Sequence, residues 1–142
     1  LIYFDTSYVA RLYVEDPGWE KVRALAATDH LGCCIHGRAE LVAAFHRKFR
    51  EGILTQPELR DLLKYFDEEN EAGAFEWLPM SPAVVDRVTQ IFRSLGRNIP
   101  LRAADAIHLG CAAENQFGEI YSNDERLLAA ARHFGIKGVN IL

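Results

Sequence analysis

The chain has 142 residues, 49% hydrophobic and 25% charged, which suits one globular domain over residues 1–142 and excludes a disordered or fibrous chain. A formal net charge of −4 and a pI near 5.7 exclude a protein that grips nucleic acid by bulk positive charge, while leaving open a carboxylate site neutralised by bound cations. No apolar run is long enough to span a bilayer, and the first residues lack the basic–apolar–small pattern of a leader, so the expected location is the cytoplasm, with no membrane contact.

Leu1 to Phe4 reads as a buried strand closed by Asp5, and the Thr6-Ser7 pair as the cap of a short helix reaching Tyr13. The Asp16-Pro17-Gly18 turn opens a second helix with Trp19, Val22 and Leu25 on it. Gly32 to Ile35 reads as the next strand. From Gly37 to Arg50, Leu41, Phe45 and Phe49 recur at spacing four, the mark of a helix with one apolar stripe, and Gly52 ends it. Pro57 fits the first turn of a further helix bearing Leu59, Leu62, Leu63 and Phe66, which are core or dimer surface. Phe75 to Leu78 is the third strand. Ser81-Pro82 caps and starts a helix striped by Val84, Val88, Ile91 and Leu95. Beyond Pro100 a helix is expected over Leu101 to Asn115, then a strand over Glu119 to Ser122, a helix over Asp124 to Phe134 and a closing strand over Gly138 to Leu142. Strand–helix alternation of this kind predicts an α/β fold, a mostly parallel central β-sheet flanked by helices on both faces.

In such sheets ligands collect beyond the carboxyl ends of the strands. Asp5 closes the first strand, Glu40 lies in the first turn after the second, and Asp124 follows the fourth by two residues. Asp105 enters the same edge through a Pro-containing loop. Singly, each has an ordinary explanation: an Asx-turn for Asp5, a helix N-cap for Asp124, a dipole-complementing acid for Glu40, an ion pair with Arg102 or Arg97 for Asp105. Asp105 resists it most, because its helical neighbours Leu101, Leu109 and Ala112 are apolar, and a carboxylate on an apolar face is costly unless paired or bound to metal. Clustered carboxylates repel, so together they imply protons, basic partners or a cation. Oxygen-only ligands favour Mg²⁺ or Mn²⁺, which lower the pKa of bound water and stabilise both oxygens in phosphodiester cleavage. Histidine-rich zinc chemistry fits less well, since the five histidines show no close-spaced ligand pairing. The three cysteines, two of them the neighbours Cys33 and Cys34, suit reduced, buried thiols.

Four segments, Ile2-Tyr3-Phe4-Asp5-Thr6-Ser7, Arg38-Ala39-Glu40-Leu41, Leu101-Arg102-Ala103-Ala104-Asp105-Ala106-Ile107-His108-Leu109 and Tyr121-Ser122-Asn123-Asp124, resemble the ordered motifs of PIN-domain ribonucleases. The likeness spans essentially the whole chain and is greatest to VapC-type toxins of toxin–antitoxin pairs. It implies a Mg²⁺- or Mn²⁺-dependent endoribonuclease in which Asp5, Glu40 and Asp105 are the core catalytic and metal-binding acids and Asp124 the fourth, more loosely engaged. It also makes Ser7 and Ser122 supporting hydroxyls, Ser122 standing where the family commonly has Thr. An RNA substrate, a cognate antitoxin that blocks the acidic site, and a homodimer are implied in the same way. Arg102, beside Asp105, is the candidate phosphate contact. His46, Arg47, Lys48 and Arg50 suit the end of their helix and solvent better than a ligand. His108 reads as a packed, hydrogen-bonded histidine rather than a general base. Two other classes of function are an enzyme with Asp5 as phosphorylated nucleophile, weakened because Ser7 stands where that chemistry wants a second Asp, and a catalytically silent PIN-like binding or scaffold module.

Overall fold

In a computed structural model describing all 142 residues, five strands alternate with seven α-helices. The strands are β1 (Ile2–Tyr3), β2 (Leu31–Cys34), β3 (Phe75–Leu78), β4 (Glu119–Tyr121) and β5 (Lys137–Val139). The helices are α1 (Thr6–Ala10), α2 (Trp19–Ala26), α3 (His36–Arg50), α4 (Gln56–Glu71), α5 (Pro82–Ser94), α6 (Ala103–Glu114) and α7 (Glu125–Ala130). β2 pairs in parallel with β1 and β3, and β4 with β5; a parallel bridge between Phe4 and Tyr121 joins the two halves. The order across the layer is therefore β3–β2–β1–β4–β5, all parallel.

Successive strand residues point to opposite faces, and each face carries its own core. Tyr3, Cys34, Leu78 and Ile120 pack with Val84, Leu109 and Leu127 under α5, α6 and α7. Phe4, Leu31, Cys33 and Phe75 pack on the other side with Tyr8, Val22, Leu41, Phe45 and Phe66 of α1 to α4. The expected helix–sheet–helix sandwich is thus observed, and the three cysteines are free and buried, as expected. No helix is long and apolar enough to cross a membrane.

Several boundaries differ from the sequence reading, each for a local reason. Asp5, not Thr6 or Ser7, caps α1, its side chain accepting from the Tyr8 amide. That helix ends at Ala10 rather than Tyr13; beyond it the amides of Arg11, Leu12 and Tyr13 turn back to carbonyls three residues earlier, and the Arg11 side chain ties Ser7 O to Pro17 O. α6 starts at Ala103, because Arg102 is extended (φ −87°, ψ 153°). The helix expected to reach Phe134 tightens into a 3₁₀ turn at Ala131 and stops at Gly135, whose φ of 74° suits glycine. The last strand is Lys137–Val139, not Gly138–Leu142, because Asn140 accepts the Tyr8 hydroxyl and Ile141 N donates to the same oxygen, drawing the tail onto α1.

Candidate active site

The sheet reverses its winding direction between β1 and β4, and the crevice at that point is where loops from both halves meet. Asp5 leaves β1 into it. The carboxylate is 5% exposed and satisfied on both oxygens: Oδ1 accepts from Ser7 Oγ (2.6 Å) and Tyr8 N (3.1 Å), Oδ2 from Ser122 Oγ (2.5 Å). Burial pushes the Asp5 carboxyl up, and His108, Ser122, Ser7 and the Tyr8 amide only partly offset that. Both serines are engaged as acceptors too. Ser7 Oγ takes the Asn123 amide (3.3 Å) and Ser122 Oγ the Asp124 amide (2.9 Å), so the two hydroxyls lock the β4 loop to the end of β1.

Asp124 combines its two readings. Oδ1 caps α7 through the amides of Arg126 (2.9 Å) and Leu127 (3.3 Å), while Oδ2 faces Arg102 Nη2 at 3.4 Å. Arg102 Nε donates to Asp105 Oδ2 at 3.0 Å, so one guanidinium bridges two acids. Its side chain is 69% exposed, so these pairs are solvent-screened and weakly held. Arg102 is the only arginine or lysine paired with any of the four acids.

Glu40 is held differently. Oε1 accepts from Thr6 Oγ1 (2.9 Å) and His108 Nε2 (2.6 Å), with His36 Nε2 at 3.3 Å; Oε2 takes part in none of these bonds, and the side chain is 31% exposed. Burial raises this carboxyl, but the bond from His108, the Thr6 hydroxyl and His36 outweigh that and hold it below the ordinary value. Gly37, one turn before Glu40, is a necessity of close approach. A Cβ there would lie 2.7 Å from Cys33 Sγ and 3.4 Å from both His108 Cε1 and Thr6 Oγ1.

These residues line one cleft of about 510 Å³ that contains Asp5, Glu40, Asp105 and Asp124, with Arg102, Arg47 and Lys48 at its rim. The four acids expected from the sequence are therefore brought to one place. No three of them, however, set an oxygen each within 4.8 Å of the others; the one trio that does so is His36, Glu40 and His108. Hydrogen bonding argues against that trio as a cage. His36 Nε2 lies 3.0 Å from the Ala104 carbonyl, an acceptor only, so it carries a proton and has no lone pair to offer. Burial opposes charge on His36, but Cys34, Glu40 and the Ala104 carbonyl together raise its pKa, which disfavours it further as a ligand. The acids suit a hard cation better: an all-oxygen set, one Glu40 oxygen left free, and a screened guanidinium on two carboxylates that a divalent ion can replace.

Sequence reasoning placed all four acids but missed what surrounds Glu40. Thr6 was expected to cap and instead binds Glu40; His36 and Tyr3 carried no expectation. His36 at four residues before Glu40 shares its helix face, a spacing that was legible. The basic cluster departs in part from the expected solvent role: Arg47, 4.0 Å from Glu51, and Lys48, whose 16% exposed side chain pairs with Asp16 at 2.7 Å, both line the cleft.

The family model of the PIN domain matches residues 2–133. The chain belongs to the PIN domain family. No curated protein matches it. Among solved structures, this PIN domain is similar to FitAcB from Neisseria gonorrhoeae (TM-score 0.73, 18% identity, covering 99% of this chain and 97% of that one). It is also similar to VapBC2 from Rickettsia felis bound to a DNA fragment from its promoter (TM-score 0.69, 13% identity, 99% and 98% covered). FitAB bound to an IR36 DNA fragment gives a TM-score of 0.60 at 19% identity, with 99% and 94% covered. At these identities the likeness establishes the fold.

Proposed function

We propose that this PIN domain is a Mg²⁺- or Mn²⁺-dependent endoribonuclease, a VapC-type toxin of the cytoplasm that works as a homodimer and is silenced by a cognate antitoxin. The observation that carries the reading is the convergence of Asp5, Glu40, Asp105 and Asp124, from four separate sequence motifs, on one cleft at the carboxyl edge of the sheet. The full-length fold similarity to FitAB and VapBC structures supports the toxin part of it.

The four acids would hold the cation, which when bound supplies Lewis-acid stabilisation of phosphate oxygens and lowers the pKa of water. Ser7 and Ser122 keep Asp5 in one orientation, since each donates to a different oxygen of it. Arg102, now paired with Asp105 and Asp124, would be free to offer its planar donors to the phosphodiester if those acids held a cation instead. Arg47 and Lys48 at the rim attract the RNA backbone while the floor stays acidic. An Asp5 nucleophile is disfavoured, because Ser7 stands where that chemistry needs a second acid, and Ser7 Oγ is committed as a donor to Asp5 itself.

The test is cleavage of a mixed pool of structured cellular RNA by purified protein in Mg²⁺, Mn²⁺ or chelator, beside Asp5→Asn and Asp105→Asn. Discrete metal-dependent cuts that vanish in both variants are expected. Folded protein that cuts nothing in either metal, and whose expression leaves growth unchanged, would move the assignment to a binding or scaffold module.

A further inference from the structure

Behind Glu40 lies a chain of buried polar groups. The Cys34 amide donates to Tyr3 Oη (3.0 Å), and Tyr3 Oη lies 3.0 Å from His108 Nδ1. His108 Nε2 in turn lies 2.6 Å from Glu40 Oε1 and 3.2 Å from Thr6 Oγ1. Tyr3 is fully buried and His108 is 2% exposed.

The proton positions follow from who can donate. Glu40 Oε1 is a carboxylate oxygen that only accepts, so the proton in its 2.6 Å contact sits on His108 Nε2, and Tyr3 Oη, which already accepts the Cys34 amide, has Nδ1 at 3.0 Å to donate to. Nδ1 is therefore an acceptor, the ring proton sits on Nε2, and Nε2–H donates to Glu40. Every group in the series has one role, and the series ends on a single carboxylate oxygen. Thr6 adds a second donor to that oxygen (2.9 Å). The consequence is an asymmetric Glu40: Oε1 is fixed inward by donors from α1 and α6, and Oε2 is left as the oxygen free for a ligand in the cleft.

We propose that Tyr3 and His108 are positioning residues, a buried relay that fixes the Glu40 carboxylate with Oε2 directed to the cation. This rests on the reading of the cleft as a metal-dependent nuclease centre. The relay acts through Glu40 and does not itself touch RNA or cation. Partners of this kind, one bond removed from a ligand, change metal affinity by about 10–100-fold when removed.

Three variants test it: His108→Leu removes the donor, His108→Gln keeps an amide N–H near the place of Nε2, and Tyr3→Phe removes the hydroxyl that holds Nδ1. Circular dichroism and thermal melts establish folding first. The readouts are Mn²⁺ affinity by electron paramagnetic resonance, kcat and KM on the cleaved RNA, and the imidazole ¹⁵N spectrum. Expected are the Nε2–H tautomer of His108 in the parent protein; Mn²⁺ binding weakened about tenfold in His108→Leu with kcat lowered and KM for RNA unchanged, and by a smaller factor in Tyr3→Phe; and recovery of most of both in His108→Gln. His108→Leu binding Mn²⁺ and cutting like the parent would overturn the relay, as would His108→Gln being as impaired as His108→Leu. Should His108→Leu not fold, the tautomer and Tyr3→Phe decide alone: an Nδ1–H tautomer in the parent overturns it. A parent protein that neither binds Mn²⁺ nor cuts RNA defeats the nuclease reading instead, and the tautomer still judges the relay.

Discussion

Asp5 carries the sharpest conflict between stability and function in the molecule. Its folded pKa is raised, chiefly by burial. A carboxyl with a raised folded pKa favours the fold when protonated and opposes it once ionised, so its contribution worsens as pH rises from the unfolded carboxylate range through the folded value. Asp5→Asn removes the buried charge while an amide can still accept from Ser7 and Tyr8 and donate to Ser122. In chelator at pH 7 the variant should melt higher than the parent by about 2–5 °C, roughly 1 kcal/mol at this chain length, and the difference should shrink toward pH 4. The same variant should be inactive. Arg102 tests the opposite case: Arg102→Gln should leave the melting temperature within about 1–2 °C, since its pairs are exposed, and raise KM for RNA rather than lower kcat, measured by steady-state cleavage.

At the scale of elements, the junction of β2 with α3 is the tightest part of the site. Gly37→Ala would press on Cys33 Sγ at 2.7 Å and on His108 and Thr6 at 3.4 Å, so it should lower both melting temperature and turnover, whereas alanine in most helix positions stabilises. α4 offers the control. Thr55 and Glu58 form a reciprocal capping box on an exposed helix start, and Thr55→Ala should cost about 1 kcal/mol of stability by chemical denaturation without touching cleavage. This contrast also explains what was legible in the sequence. Helices α3, α4 and α5 announced themselves through apolar spacing, Gly52, Pro57 and the Ser81 cap, and the third strand was placed to the residue. The end of α1 and the last strand were not legible, because the Arg11 contacts to Ser7 and Pro17 and the Tyr8–Asn140 bond link residues whose proximity only the fold creates. Asp5, Asp105 and Asp124 could be placed because each follows a strand end or opens a helix, whereas Glu40, expected in the first turn, lies one turn into α3, which begins at His36. The Tyr3–His108–Glu40 series could not be placed, since it reaches Glu40 from two other elements through Tyr3 and His108, which individually read as packed side chains.

For the whole molecule, an acidic cleft held open by one screened guanidinium should bind a divalent cation only in the folded state. Mn²⁺ should therefore raise the melting temperature of the parent in a concentration-dependent way, and chelator should reverse it. The most direct measurement of where that ion goes is the anomalous diffraction of Mn²⁺ in crystals of the protein. The account predicts a peak in the cleft bounded by Asp5, Glu40 and Asp105, with Arg102 drawn away from Asp105 and His108 still bonded to Glu40 Oε1. A peak on the nitrogens of His36 and His108, or none at saturating Mn²⁺, would contradict it.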